Sequence, residues 1–240
     1  MSDPQNAVGE ASTDAYRPLM SPERAERIRQ FHEAMVNTTK AEDIETTSLF
    51  GLTFVVPPEV KRIGPLSKLL GEAVLAEVKR ADRVLDMGTG CGVNAVIAAT
   101  KATDVLAVDI NPHSMKTTHE NALRNGLDDR VEVRESDIFS NVDGTFDLII
   151  FNPPFRWFAP NTMLEAATSD ENYQALTRFF REARQYLAKQ GRMIIFFSNA
   201  GDLAYLQQLI DTEGFRQEVV SQVSRVVEGL DINFFVFRLS

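Results

Sequence analysis

Apolar residues recur along this chain at two alternating periods, and that alternation predicts its architecture. Ser21-Pro22-Glu23 predicts a helix start, with serine as cap and proline in the first turn, and Ile28, Phe31 and Met35 follow at helical spacing. Leu49-Phe50-Gly51-Leu52-Thr53-Phe54-Val55-Val56 alternates like a strand or hairpin arm and stops at Pro57-Pro58. Leu66, Leu69, Leu70, Val74 and Leu75 then define one face of an amphipathic helix over 66–78. Beyond it, strands are predicted at 82–87, 104–109, 130–134, 146–151, 191–198, 215–223 and 232–239, with helices at 92–100, 112–126, 171–189 and 202–213. Gly126, Gly191 and Gly214 stand where glycines terminate helices.

Strands alternating with helices imply an α/β fold, a doubly wound and mainly parallel seven-stranded sheet covered on both faces. The last two strands lie too close for a helical crossover, so they are read as a C-terminal antiparallel hairpin. Residues 1–20 scatter Pro, Gly, Ser and Asp and are read as a disordered tail. Residues 21–47 form a short helical extension, and 48–240 form the main domain.

Composition narrows the classes. The chain has 240 residues, 44% of them hydrophobic and 25% charged, which suits a globular protein with a substantial core. A net charge of −9 argues against a general electrostatic grip on nucleic acid or an anionic membrane. Cys91 is the single cysteine, so neither an intrachain disulfide nor a cysteine zinc cluster can form. His32, His113 and His119 show no metal spacing and are read as surface residues, and no metal site is expected. The polar, Pro-punctuated start and the lack of a membrane-length apolar run suit a cytoplasmic enzyme.

Four strand ends carry candidate chemistry. The first is the turn Asp86-Met87-Gly88-Thr89-Gly90-Cys91-Gly92, whose glycines let backbone approach a ligand at a helix N-terminus. Alone such a turn is a weak signal that would also suit a dinucleotide or simply a tight strand–helix connection. The second is Asp109-Ile110, 23 residues after Asp86, a spacing that suits an acid on ribose hydroxyls. The neighbouring Asn111-Pro112 is the better helix cap. The third is Asp137-Ile138, where a carboxylate can accept from an adenine amino group or simply be solvated. The fourth is Asn152-Pro153-Pro154-Phe155, after the apolar run 146–151.

The fourth segment is the most informative. A planar amide or exocyclic amino nitrogen is a poor nucleophile because its lone pair is delocalised. A side-chain carbonyl from Asn152 and a backbone carbonyl from Pro153 can accept its two N–H bonds, orient it and favour the positive charge that develops there. Pro153 and Pro154 stiffen the loop and bring no competing N–H, and Phe155 can cover one face of a flat substrate.

These four segments in this order resemble a class I S-adenosylmethionine-dependent methyltransferase. The Asn-Pro-Pro-Phe version, with 50–56 and 69–75 upstream, is similar to the protein-glutamine methyltransferases of release factors over roughly residues 48–200. The resemblance implies a Rossmann-like fold and S-adenosyl-L-methionine as cofactor. It implies that Asp86, Gly88 and Gly90 meet the methionine end, with Thr89, Cys91 and Gly92 in the same turn. Asp109 with Ile110 would meet the ribose, Asp137 with Ile138 the adenine, and Asn152 and Pro153 the target nitrogen. The chain departs from that family at Ile63-Gly64-Pro65-Leu66-Ser67-Lys68, where a Pro-Arg-Pro-x-Thr-Glu segment is usual, and its N-terminal helical region is short. A protein glutamine is therefore the leading acceptor; an RNA or DNA base, or a small amide or amine metabolite, is the alternative. A nicotinamide-dependent oxidoreductase is the rival from another class, against which stands the absence of Gly-x-Gly-x-x-Gly and Tyr-x-x-x-Lys.

Arg156-Trp157-Phe158 is read either as pocket wall or as a plug between loop and sheet. Glu165, Asp170 and Glu171 are read as a solvated loop and helix start. Phe179, Phe180, Phe196, Phe197, Phe234, Phe235 and Phe237 are assigned to the core, and Cys91 to packing in the turn.

Overall fold

A computed structural model describes residues 16–38, 43–227 and 229–240. The expected tail over 1–15 lies outside the described residues. The first helix, α1 (Pro22–Thr38), begins where Ser21-Pro22 predicts it, with the Ser21 hydroxyl accepting from the Arg24 N–H at 3.3 Å. It is followed by a hairpin, β1 (Glu45–Leu49) and β2 (Leu52–Val56), and by α2 (Ser67–Glu77). The boundary expected at 47/48 therefore falls inside β1.

The main sheet is built from β3 (Arg83–Met87), β4 (Asp104–Asp109), β5 (Val131–Glu135), β6 (Phe146–Phe151), β7 (Leu187–Ser198), β8 (Gln217–Val227) and β9 (Leu230–Leu239). Its order is β5-β4-β3-β6-β7-β9-β8, parallel from β5 to β7 and antiparallel through β9 and β8. The helices α3 (Val93–Ala99), α4 (Pro112–Arg124), a short α5 (Met163–Ala166), α6 (Gln174–Tyr186) and α7 (Leu203–Thr212) complete the chain.

Strand side chains alternate between the two faces and each face has its own core. Leu85, Leu106, Ile149, Ile195 and Phe197 pack toward Phe179 and Phe180 of α6 and Leu206 and Ile210 of α7. Val84, Val105, Leu148, Ile150 and Ile194 pack toward Leu70 and Val74 of α2 and the run Ala95–Ala99 of α3. The expected core phenylalanines are buried except Phe234 and Phe235, which are half-buried on β9.

The β1–β2 hairpin is fastened by two asparagines of α4. Asn121 and Asn125 pair with the backbone of Val55 and Thr53 through both amide groups, at 2.8–3.1 Å, as a neighbouring strand would. Asn121 also donates to the Cys91 carbonyl at 2.9 Å, tying the hairpin to the turn after β3.

Three local expectations change. Gly126 and Gly214 do end helices with positive φ, but Gly191 lies inside β7. A Cβ there would sit 2.8 Å from the Phe146 carbonyl, so glycine permits the irregular β6–β7 contact between Phe146 and Leu148. The helix expected over 171–189 stops at Tyr186, because Leu187 is already extended and pairs with Phe146. Residues 16–20, expected as tail, are anchored: the Tyr16 hydroxyl and Leu19 N–H both donate to Asp202, at 2.7 and 2.6 Å.

The order in which strands are added reverses between the parallel neighbours β3 and β6. Excursions to β4 and β5 go one way, those to β7, β8 and β9 the other, and β3 and β6 are paired with Asp86 beside Ile150 and Met87 beside Phe151. Gly88 and Asn152 thus leave adjacent strands at the switch point, where doubly wound sheets bind ligands.

Candidate active site

A cleft of about 730 Å³ opens at the carboxyl ends of β3, β4, β5 and β6. Gly88, Thr89, Gly90, Cys91, Asp109, Ile110, Asp137, Ile138 and the whole Asn152–Phe155 segment line it. The structure brings together candidates from all four strand ends.

The turn after β3 has left-handed backbone at Gly88, Gly90 and Gly92. A Cβ at Gly90 would project into open space, and one at Gly88 would touch only a Phe151 ring carbon at 3.7 Å. Gly92 does not line the cleft. A Cβ on it would stand 2.8 Å from Thr118, so its task is the close approach of α3 to α4.

Asp86 also differs from expectation, because its carboxylate lies beneath the turn and not in the cleft wall. One oxygen accepts from the Thr89 hydroxyl at 2.6 Å and the Ala95 N–H at 3.1 Å, while Oδ1 is buried with no partner among the described residues. Burial, with a smaller contribution from nearby Asp109, pushes this carboxyl up to about 7 despite those hydrogen bonds. Asn94, at the start of α3, lines the cleft and likewise has a buried Oδ1 without a partner among the described residues.

Asp109 accepts from Gly90 N–H at 2.8 Å and Asn111 N–H at 2.9 Å, with burial raising its pKa against those hydrogen bonds and the Ser114 side chain. Each oxygen keeps a lone pair for a ligand hydroxyl. Asn111 caps α4, as its position before Pro112 predicts, accepting from His113 N–H at 3.0 Å. Asp137 is exposed at the cleft edge and its carboxylate is gripped by Arg178 at 2.7 and 3.0 Å, so an adenine amino group there would share it with a guanidinium. Ile138 is buried with φ of 53°, an uncommon conformation for a β-branched residue, held by the Ser136 hydroxyl donating to its carbonyl at 2.7 Å.

Asn152 is exposed in the cleft and its side-chain amide has no hydrogen-bond partner among the described residues. Phe155 packs against Phe197, Phe196 and Phe234 at centroid distances of 5.4, 5.6 and 6.5 Å. Its carbonyl accepts from the buried Tyr173 hydroxyl. A Cβ on Gly201 would sit 1.9 Å from that same carbonyl oxygen, so only glycine lets the end of β7 pass under the segment. No local pattern marks Tyr173, and the signal for Gly201 is Asn199-Ala200-Gly201-Asp202, one more strand end on the same edge.

The aromatic loop divides. Trp157 is a plug, buried among Tyr16, Phe158 and Tyr173, while Arg156 faces the cleft. His32, expected at the surface, is buried on α1, stacked on Phe158 at 4.9 Å with Nδ1 3.0 Å from the Arg156 guanidinium. Burial and Arg156 lower its pKa, so it stays neutral and serves as acceptor. Asp170, expected in a solvated loop, is buried as well and accepts from the N–H groups of Ala175 and Leu176 at 3.0 and 2.9 Å, fixing the start of α6. Cys91 is buried and pushed up to about 12 by desolvation, which makes it an inert packing thiol.

Fold and strand-end pattern together define a Rossmann-like methyltransferase. Residues 60–223 match the methyltransferase small domain, and the chain belongs to that family. It is similar to a Methanocaldococcus jannaschii protein provisionally named protein N5-glutamine methyltransferase, 34% identical over 188 residues, covering 75% of this chain and 93% of that one. It is similar also to the release factor glutamine methyltransferase of Cereibacter sphaeroides, 31% identical over 227 residues, covering 84% and 81%. Among solved structures, the tRNA m1G37 methyltransferase of M. jannaschii shares the fold with a TM-score of 0.62 at 18% identity, covering 82% of this chain and 54% of that one. The chain is an S-adenosylmethionine-dependent methyltransferase. The cleft fits that donor: a Cβ at Gly90 would meet nothing within 4 Å and one at Gly88 only the Phe151 ring, Asn94 brings an unpartnered oxygen, and Asp109 keeps free lone pairs. Among the described residues no helix is long and apolar enough to cross a membrane.

Proposed function

We propose that this enzyme methylates a planar amide nitrogen, the side chain of a protein glutamine. The observation that carries the reading is the adjacency of Asn152-Pro153-Pro154-Phe155 and the Gly88–Gly90 turn at the ends of paired strands, both lining one cleft. Two relatives with glutamine methyltransferase in their names support the acceptor.

When bound, S-adenosylmethionine supplies an activated methyl group on a sulfonium. Gly88, Thr89, Gly90 and Cys91 would cradle its methionine end, with Asp86 positioning that turn from beneath. Asp109 and Ile110 would hold the ribose, and Asp137 and Ile138 the adenine. The Asn152 side-chain carbonyl and the Pro153 backbone carbonyl accept the two N–H bonds of the acceptor, which fixes its orientation and stabilises positive charge on nitrogen. Phe155, braced by Phe196 and Phe197, presents an apolar surface to the flat amide. No base needs to act before transfer. Residues 48–240, together with the strand β1 that begins at Glu45, are read as the catalytic unit, and α1 as an extension before it.

The test is transfer of labelled methyl into fractionated cell extract, with Asn152→Ala as control. Asn152-dependent label on glutamine in protein is the expected result. Label in RNA, DNA or the small-molecule pool would reassign the acceptor to a base or an amine metabolite. Unimpaired transfer by Asn152→Ala would remove the mechanism.

A further inference from the structure

Three buried side-chain oxygens have no hydrogen-bond partner among the described residues: Asp86 Oδ1, Asn94 Oδ1 and Ser169 Oγ. The first two belong to the strand end and helix around the Gly88–Gly92 turn. Ser169 lines the same cleft from the loop before α6, and it forms a parallel bridge with Arg156, the residue that follows Phe155. Asp170 N–H donates to the Arg156 carbonyl at 2.8 Å and Asn172 N–H to the Trp157 carbonyl at 3.0 Å, which pins this loop beside the end of the Asn-Pro-Pro-Phe segment. The neighbouring polar groups are engaged. The Thr168 hydroxyl donates to the Glu165 carbonyl at 3.1 Å, Asp170 accepts from the start of α6, and the Tyr173 hydroxyl joins Phe155 to Asp202. The Ser169 N–H itself donates to the Glu165 carbonyl at 2.9 Å, so what stays open at this residue is the side-chain hydroxyl.

A buried hydroxyl without a partner costs stability, and alanine would serve better if packing were its only task. A ligand that brings a hydrogen-bond acceptor removes that cost. In a primary amide the two N–H bonds go to the Asn152 and Pro153 carbonyls, and the amide oxygen still requires a donor. Pro153 and Pro154 have no backbone N–H to give it. We propose that the Ser169 hydroxyl donates to the carbonyl oxygen of the acceptor amide, so that this residue selects amides over amines. The proposal rests on the reading of this cleft as an amide-methylating site. The bond has a definite sign. Donation to the oxygen favours the resonance form in which the nitrogen lone pair is delocalised, and that delocalisation is lost as nitrogen takes the methyl group. The hydrogen bond therefore holds the bound amide at least as strongly as the transition state, and it serves affinity and selection, not rate.

N-acetylglutamine N-methylamide and its side-chain thioamide differ in one atom, and sulfur is the weaker acceptor. Steady-state methyl transfer to both probes is measured for the full chain and for Ser169→Ala. The variant should raise KM for the amide about tenfold with kcat unchanged or higher, and should shrink the wild-type preference for amide over thioamide by a similar factor. Its thermal midpoint without ligand should be unchanged or higher, as fits a hydroxyl with no partner in the protein, and it should still bind S-adenosylhomocysteine. A midpoint lowered by several degrees, or a lower kcat at unchanged KM, would make the hydroxyl structural and overturns the proposal. An unchanged amide-to-thioamide ratio with Asn152-dependent transfer assigns the oxygen to another donor, such as the Asn152 amide nitrogen, and overturns this proposal alone. Transfer to neither probe overturns it together with the amide reading.

Discussion

The hydroxyl of Tyr173 donates to the backbone carbonyl of Phe155 and accepts from the backbone N–H of Asp202 at 2.8 Å, so one fully buried side chain joins the Asn-Pro-Pro-Phe segment to the start of α7. Asp202 in turn accepts from Tyr16, Leu19 and Tyr205, which brings the N-terminal arm into the same network. Burial drives the Tyr173 pKa far up, and the group remains a donor at any working pH. Tyr173→Phe strands a carbonyl and an N–H. Chemical denaturation should show a loss of about 1–3 kcal/mol. Turnover should fall several-fold while donor affinity, which we propose is set on the β3–β4 side, is retained; a parallel loss of both would make Tyr173 a merely structural residue.

Gly201→Ala tests the same segment from below. The added Cβ would stand 1.9 Å from the Phe155 oxygen and 2.9 Å from both the Phe155 carbonyl carbon and the Tyr173 hydroxyl, so the backbone of the segment must shift. The expected displacement falls on the acceptor side. Methyl transfer should drop by more than in Tyr173→Phe, with S-adenosylhomocysteine binding close to wild type by calorimetry. Full activity in Gly201→Ala would mean that the segment tolerates movement and does not position the acceptor.

Much of this site was legible because local chemistry marks it. Asn111-Pro112 caps α4 where a polar cap and a first-turn proline require it, and the period change around each strand fixes where Gly88, Asp109 and Asn152 emerge. What was hidden depends on partners far away in the chain. Nothing near Tyr16 announces Asp202, 186 residues on, and nothing near His32 announces Arg156, 124 residues on. Asp86 is a different case. Its place at a strand end was evident, but whether its carboxylate looks into the cleft or under the turn depends on Thr89 and Ala95 folding back over it. The end of α6 is ambiguous in sequence because Leu187 and Ala188 continue an apolar pattern that suits either helix or strand, and only pairing with β6 decides it.

At the opposite end of the sheet, Arg192 is buried between Asp82 at 2.8 Å and Glu77 at 3.3 Å and donates to the Asp147 carbonyl at 2.9 Å. Arg238 holds the other Glu77 oxygen at 2.9 Å. Removing the central cation leaves carboxylates buried without their partner, which is worse than never having the pair. Arg192→Met should destabilise by about 3–5 kcal/mol, and Asp82→Asn added to it should return part of the loss. Activity per folded molecule should be unchanged, because this network lies away from the cleft. Thermal unfolding of both variants, with active-site titration, checks the two halves.

The last prediction concerns Asp86, whose carboxyl is lifted by burial from an ordinary 3.8 to about 7. A folded-state value above the unfolded one means that the native state binds more protons between those limits. The group's contribution to stability is therefore complete below pH 3.8 and is lost as pH rises through about 7. Other carboxylates follow their own slopes, so the measurable quantity is the difference between wild type and Asp86→Asn. The asparagine still offers an oxygen to Thr89 and Ala95 but does not ionise. Its stability relative to wild type should climb with pH from 5 to 7.5, by a few kcal/mol at most. Donor binding supplies a second readout. A cationic sulfonium over the turn favours the ionised carboxylate beneath it, so donor uptake should release protons below about pH 7 and tighten as pH rises to that point. Calorimetry in buffers of different ionisation enthalpy measures that release directly. Its absence in wild type, or its persistence in Asp86→Asn, would take the titrating group away from Asp86 and leave Asp109, also raised by burial, as the group coupled to the donor.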